Sequence, residues 1–199
     1  MKALLEKGYC YLNLTKKIDF LAPLLMRLYL VPIFWMAGTH KIDGFESTVQ
    51  WFGNDDWGLG LPFPFLLAIL AIGAEVVGAI ALLLGLGVRL MAIPMMFTMI
   101  IAMTSVHAQY GWQGIADANA RFSNERVEAS VEKKEIIVSL LQEHGNYDWL
   151  TSSGNVVILN NGIEFAATYF VMLLMLFFIG SGRYVSLDYW IKRKLLPDA

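Results

Sequence analysis

Runs of apolar residues close to twenty long, separated by short polar stretches, dominate the first half of the chain and return near its end. A helix that crosses the hydrocarbon core takes roughly 20 mostly apolar residues. Residues 20–38, 63–85, 88–107 and 163–180 each meet that requirement. Only 85–88 separates the second run from the third, which predicts a tight antiparallel hairpin. Gly73 and Gly78 in the second run, with Gly85 and Gly87 at the turn, favour close backbone approach. Pro94 is expected to bend the third helix. The expected fold is an all-α integral membrane protein, a bundle of four transmembrane helices with a polar, partly helical outer insertion between the third and fourth.

That insertion, residues 109–161, carries a helical pattern over about 124–144, where Val127, Val131, Ile137, Val138 and Leu141 alternate with Glu125, Glu128, Lys133 and Lys134. Residues 152–155 and 160–162 are rich in Ser, Gly and Asn and read as turns flanking a short extended piece at 156–159. A connection this long is commonly functional.

Composition supports a bilayer as the solvent. Hydrophobic residues make up 57% of the chain, above the roughly 45–50% of soluble domains, and mean hydropathy is +0.54. A net charge of −2 lacks the dense Lys/Arg footprint of nucleic-acid binders, so that class is set aside. Cys10 is the single cysteine, which leaves no intrachain disulfide and no Cys-x-x-Cys metal cage. Residues 1–15 mix Lys2, Glu6 and Lys7 with tyrosines and leucines and read as no removable signal peptide.

The basic residues then orient the bundle. Lys2, Lys7, Lys16 and Lys17 precede the first run, Arg89 follows the hairpin turn, and Arg183, Lys192, Arg193 and Lys194 lie in the tail 181–199. The first connection has Lys41 against Asp43, Glu46, Asp55 and Asp56. Short basic segments stay cytoplasmic, so both termini are expected on the cytoplasmic side of the membrane and the acidic connections outside. Trp35, Trp51, Trp57, Trp112, Trp149 and Trp190 fall near span ends or in loops, as indoles at headgroup level do.

Polar groups inside the spans carry the candidate chemistry, because a charge there costs at least about 2.5 kcal/mol without a partner. Arg27 lies in the first span and Glu75 in the second, at comparable counted depth, where Arg27 either meets Glu75 or faces an anionic headgroup. Such a pair reads either as a structural lock or as a quinone-facing carboxylate tuned by an arginine. His40, His107 and Glu164, with the cation Lys41, gather at the outer ends of the helices. Two imidazoles and a carboxylate can ligate Cu, Fe or Zn or relay protons, and equally can serve as interfacial polar groups. Met91, Met95, Met99 and Met103 recur every four residues, a row that reads as packing or as a thioether path for copper. At the inner end Arg89, Arg183 and Asp188 are expected to form a clasp, with Asp19 a further partner.

These pieces resemble the DoxX family of small bacterial membrane proteins. The likeness rests on Arg27, Gly38-Thr39-His40-Lys41, Glu75-Val76-Val77-Gly78 running through Leu82 to Leu86 and Arg89, His107, and the run from Gly180 to Asp188. The resemblance implies a four-helix membrane fold and an association with redox work, including quinone-linked oxidoreductases and the maturation of copper-binding peptides. Two functional readings follow. One is a membrane subunit or accessory of a quinone-linked redox system with a protein partner. The other is a non-enzymatic scaffold or copper-handling protein serving a periplasmic partner. A lone cysteine leaves no all-cysteine iron–sulfur cluster within the chain.

Overall fold

The computed structural model describes residue 13 and residues 15–196. Cys10, Lys2 and Lys7, and with them the reading of the N-terminal segment, lie outside the described residues. The described chain is helical, with no strand and one isolated antiparallel bridge, Ile115 to Leu159. It divides into two compact units, one holding the chain up to Thr98 and from Tyr169 onward, the other Met99–Thr168.

The first unit opens with a 3-10 turn, Thr15–Ile18, and helix α1, Leu21–Asp43. Short helix α2 is Phe45–Gly53, α3 is Pro64–Leu84 and α4 is Val88–Ile101. Three apolar helical stretches are long enough to cross a membrane: Thr15–Asp43, Pro64–Leu84 and Val88–Tyr110. A shorter apolar helix, α7, covers Glu164–Ile179, and α8 covers Leu187–Leu195. Leu25, Leu66, Leu70, Leu90, Phe97 and Phe178 are exposed on these helices. The inward stripe holds Leu30, Phe34, Ala68, Ala79, Leu82, Val88, Ala92, Leu173 and Leu176, all buried.

Helices α1 and α3 pack most extensively of any pair. Gly38 of α1 lies flat on α3: a side chain there would meet Val76 and the Cβ of Glu75. The glycine therefore serves helix approach and ends nothing, which is why α1 runs five residues past the boundary at 38 drawn from the sequence. At the hairpin, Gly85 adopts a left-handed conformation (φ 64°) and Leu86 N–H returns to Ala81 C=O, closing α3 as a glycine-capped helix end. Of the other hairpin glycines, Gly78 takes the side chain of Met95 while Gly73 faces open space.

The first connection contains more structure than its acidic composition suggests. After α2, Asn54 Oδ1 accepts from the N–H groups of Asp56 and Trp57, and Leu59 and Leu61 N–H return to Trp51 and Phe52 carbonyls. Phe52 is buried beneath that fold-back, and the Phe45 and Phe65 rings meet edge to face.

In the second unit, the helix that begins as α4 loosens into a π turn, Ala102–His107, and a 3-10 turn, Ala108–Tyr110. Helix α5 is Glu125–His144, started by Asn124, whose side chain accepts from Val127 N–H; the one-turn helix α6 is Tyr147–Leu150. Two strands of irregular chain zip together beside α5. Asn160 and Asn161 N–H both reach Gly114 C=O, Gly162 N–H reaches Gln113, Ile163 N–H reaches Gly111, and Glu164 N–H reaches Trp112. Asn160 is buried and bonds Tyr110 C=O, Gln113 C=O and Arg126 Nε with its side chain. The extended piece expected at 156–159 is this zipper's continuation, through Ala116 N–H to Ile158 C=O.

Candidate functional site

Arg27 and Glu75 do not pair. Arg27, 1% exposed, donates from Nη1 to Leu82 C=O at 3.0 Å and from Nη2 to Val185 C=O at 2.6 Å. Glu75 is bound by Lys41, whose Nζ lies 2.8 Å from each carboxylate oxygen. The first reason is depth: Glu75 packs beside Gly38, where an added Cβ would meet its own, and Gly38 lies about 16 Å along α1 from Arg27. The tilt of side chains toward the N-terminus of their own helix widens that separation. On α1 that tilt carries Arg27 back toward the hairpin end and Lys41 inward from the opposite end. On α3, which runs the other way, it carries Glu75 toward Lys41 and away from Arg27. Counting from the helix ends put Arg27 and Glu75 at similar depth; the contact of Gly38 with Glu75 shows that they lie at different levels.

The Lys41–Glu75 pair is asymmetric. Glu75's side chain is 5% exposed and Lys41's is 26% exposed. The lysine also points a longer contact of 3.4 Å at Ala37 C=O, within its own last turn. A carboxylate enclosed by apolar helices keeps its charge only while a cation is held against it. Lys41 is that cation, although the sequence presented it as an end-of-helix charge. The usable signal was its place in the last turn of a helix antiparallel to the one bearing Glu75.

At the other end the clasp forms, with Arg183 on Asp19, one of the expected partners, and Asp188 on backbone amides. Asp188 does not meet Arg183. Its Oδ1 and Oδ2 accept from Gly87 N–H at 2.7 Å and Val88 N–H at 3.3 Å, capping α4, while its own N–H reaches Gly85 C=O. A carboxylate at a helix N-terminus both satisfies free amides and complements the helix dipole. Ser186 caps α8 by accepting from Tyr189 N–H. Arg183 binds Asp19 at 2.7 Å and donates to Lys16 C=O; the Asp19 carboxylate raises its pKa further above an already high ordinary value, chiefly through the hydrogen bond. Arg89 donates to Phe178 C=O, one of the last carbonyls of α7.

The expected metal group does not assemble. Among the described residues no three His, Cys, Asp or Glu side chains gather as ligands. His40 is exposed at the end of α1. His107 Nδ1 is 2.8 Å from Asn161 C=O, and Glu164 Oε2 accepts from Gly114 N–H at 2.8 Å. These two side chains have structural employment, stitching the zipper of the second unit. Neither did the sequence single out Asn160, the most bonded side chain there, since an asparagine among Asn, Ser and Gly reads as one more turn residue. Of the methionine row, Met95 is fully buried with its sulfur seated over Gly78, a packing role. Met91, Met99 and Met103 are half-buried.

The family model for DoxX matches residues 22–108, which include Arg27, Lys41 and Glu75 but neither Asp188 nor Arg183. Inner membrane protein YphA of Escherichia coli (strain K12) is 34% identical over 112 residues, 54% of this chain and 76% of that protein. A Bacillus subtilis (strain 168) protein named "Putative oxidoreductase CatD" is 32% identical over 94 residues, 47% of this chain and 66% of that protein. No solved structure matches the chain. Similarity to an inner membrane protein over three quarters of its length, a family match across the α1–α4 segment and three membrane-length apolar helices agree, and the chain belongs to the DoxX family of membrane proteins.

Proposed function

We propose that this protein is a multi-pass subunit or accessory of a quinone-linked redox system in the bacterial plasma membrane, and that Lys41 and Glu75 are its proton-handling pair. The observation that carries the reading is the carboxylate enclosed among apolar helices with both oxygens on a single lysine. An ionised carboxylate in hydrocarbon depends on its counter-charge staying in place. Lys41 holds that charge on a flexible four-carbon stem near the helix end. Displacing Nζ leaves Glu75 to take up a proton, and its return expels that proton, so the pair converts a small side-chain movement into proton exchange. Quinone, as substrate, takes up two electrons and two protons on reduction and dissolves in the same hydrocarbon. The electrons belong to a protein partner. The relative from Bacillus subtilis that bears an oxidoreductase name favours the same class.

Two finer features of the fold belong to the proposal. Asp19 ahead of α1 binds Arg183 beyond α7, and the α3–α4 turn binds Asp188. Chain ends that meet at one end of the bundle need an even number of crossings, and α7, about 24 Å long at 1.5 Å per residue, supplies the fourth after α1, α3 and α4. Lys16, Lys17, Arg89, Arg183, Lys192, Arg193 and Lys194 then share one end, the cytoplasmic one by the distribution of charge. In this proposal the acidic connection between α4 and α7 faces the periplasm and meets the partner. The copper-handling reading gains no comparable support, because Met95 is spent on packing and, among the described residues, no three His, Cys, Asp or Glu side chains gather.

The test is lipid-extract mass spectrometry of protein purified from native membranes, with elemental analysis of the same preparation. Quinone is expected enriched over bulk membrane lipid in the wild type and reduced about tenfold in Glu75→Gln, a change on the order of 1.4 kcal/mol. Quinone at bulk level in both proteins overturns the reading.

A further inference from the structure

Helix α8 is fastened at its start and uncovered along its length. Four contacts hold the start: Arg27 to Val185 C=O, Asp188 N–H to Gly85 C=O, and the Asp188 carboxylate to Gly87 and Val88 N–H. Gly85 to Val88 is the turn between two membrane-length helices, so these bonds pin the first turn of α8 to the level where the bundle leaves the bilayer. From there Leu187, Ile191 and Leu195 follow one another every four residues, with Trp190 one turn from Leu187 on the same side, and all four are exposed. At 100° per residue they occupy an arc of roughly 140°. Tyr189, Lys192 and Arg193 fall on the opposite arc, and Lys194 lies inside the apolar one, where its long stem lets the ammonium rise to the headgroups.

We infer that α8 is an interfacial helix that lies in the plane of the membrane and binds anionic phospholipid headgroups of the leaflet at the hairpin end. Charge chooses the occupant. Lys192, Arg193 and Lys194 are consecutive and exposed, with exposed Lys16, Lys17 and Arg89 on the elements at the same end of the bundle. No carboxylate on α8 offsets them, since Asp188 is committed to the α4 amides. An apolar stripe bordered by cations matches acyl chains below a layer of phosphate. Trp190 sits at the boundary between the two, donating Nε1–H to Tyr184 C=O while Arg193 stacks on its ring at 5.6 Å. The inference does not rest on the redox proposal, because it uses no residue of the Lys41–Glu75 site.

The experiment uses the full-length protein in vesicles of phosphatidylcholine doped, at equal mole fraction, with brominated phosphatidylglycerol or brominated phosphatidylcholine. The Trp190 signal is the difference between wild type and Trp190→Phe. Trp190 emission is expected blue-shifted and quenched about twofold more by the brominated anionic lipid. Lys192→Gln/Arg193→Gln/Lys194→Gln should abolish that preference and keep the quenching by phosphatidylcholine. Equal quenching of the wild type by both lipids overturns the anionic assignment. A Trp190 unquenched by either lipid and open to aqueous acrylamide overturns the interfacial helix and leaves the face to a protein partner.

Discussion

Replacing Lys41 by Met separates the two parts of the buried pair most cleanly. Methionine keeps most of the stem and its packing against α3, and removes the cation that binds Glu75. Stripping one partner from a fully buried ion pair costs about 3–5 kcal/mol. Here Lys41 is 26% exposed, so solvent already weakens the pair, and Glu75 can take a proton in place of its lysine. Both effects lower the expected cost to about 2 kcal/mol. For a chain of this size that corresponds to a fall of about 4–8 °C in melting temperature. Glu75→Gln should cost less, about 1 kcal/mol, because the freed ammonium can bend back to water at the helix end. The double variant Lys41→Met/Glu75→Gln leaves neither charge behind and should melt close to the single Glu75→Gln protein, a coupling of about 2 kcal/mol. Thermal unfolding of the three proteins in one mild detergent, followed by circular dichroism, measures it. Additive losses, or a Lys41→Met protein as stable as wild type, would refute the view that Lys41 is what permits a carboxylate at position 75.

The other predictions concern the two ends of the bundle and the second unit. Arg27→Met removes the donors to Leu82 and Val185 carbonyls; about 2 kcal/mol of stability should go with them, and amide exchange should rise first in α8. Gly162→Ala sets a methyl 2.5 Å from Gln113 O and 2.6 Å from Gly111 O, backbone atoms that cannot yield without opening the zipper. It should cost on the order of 3 kcal/mol and expose 111–116 to limited proteolysis. Asp19→Asn, at a solvent-exposed pair, should leave the melting temperature unchanged within experimental scatter. Leucine at Met91, Met95, Met99 and Met103 together should leave the metal content of the purified protein unaltered by elemental analysis.

Hydrophobic length alone determined that this is a membrane protein and where its apolar helices lie. The runs at 63–85 and 163–180 reappear as Pro64–Leu84 and Glu164–Ile179, because a bilayer asks only for enough consecutive apolar residues, a property any window of sequence displays. The helical pattern over about 124–144 likewise reappears as α5, Glu125–His144, since periodicity is a local property. The run of small and charged residues around Arg183 and Asp188 announced a clasp for the same reason of density.

Partnership was decided by tertiary structure. Arg27 and Glu75 count to matching depth from the helix ends, yet the packing of α1 on α3 sets Glu75 beside Gly38, about 16 Å along α1 from Arg27, so one reaches backbone carbonyls and the other Lys41. Asp188 finds its amides 100 residues away on α4, and His107 and Glu164 find Asn161 C=O and Gly114 N–H in place of a shared metal. Helices α2 and α8 were missed because each is nine residues long and amphipathic, too short to form on local preference. A sequence records which groups are costly to bury; the packing of its helices, acting over many residues of separation, determines which group relieves each of them.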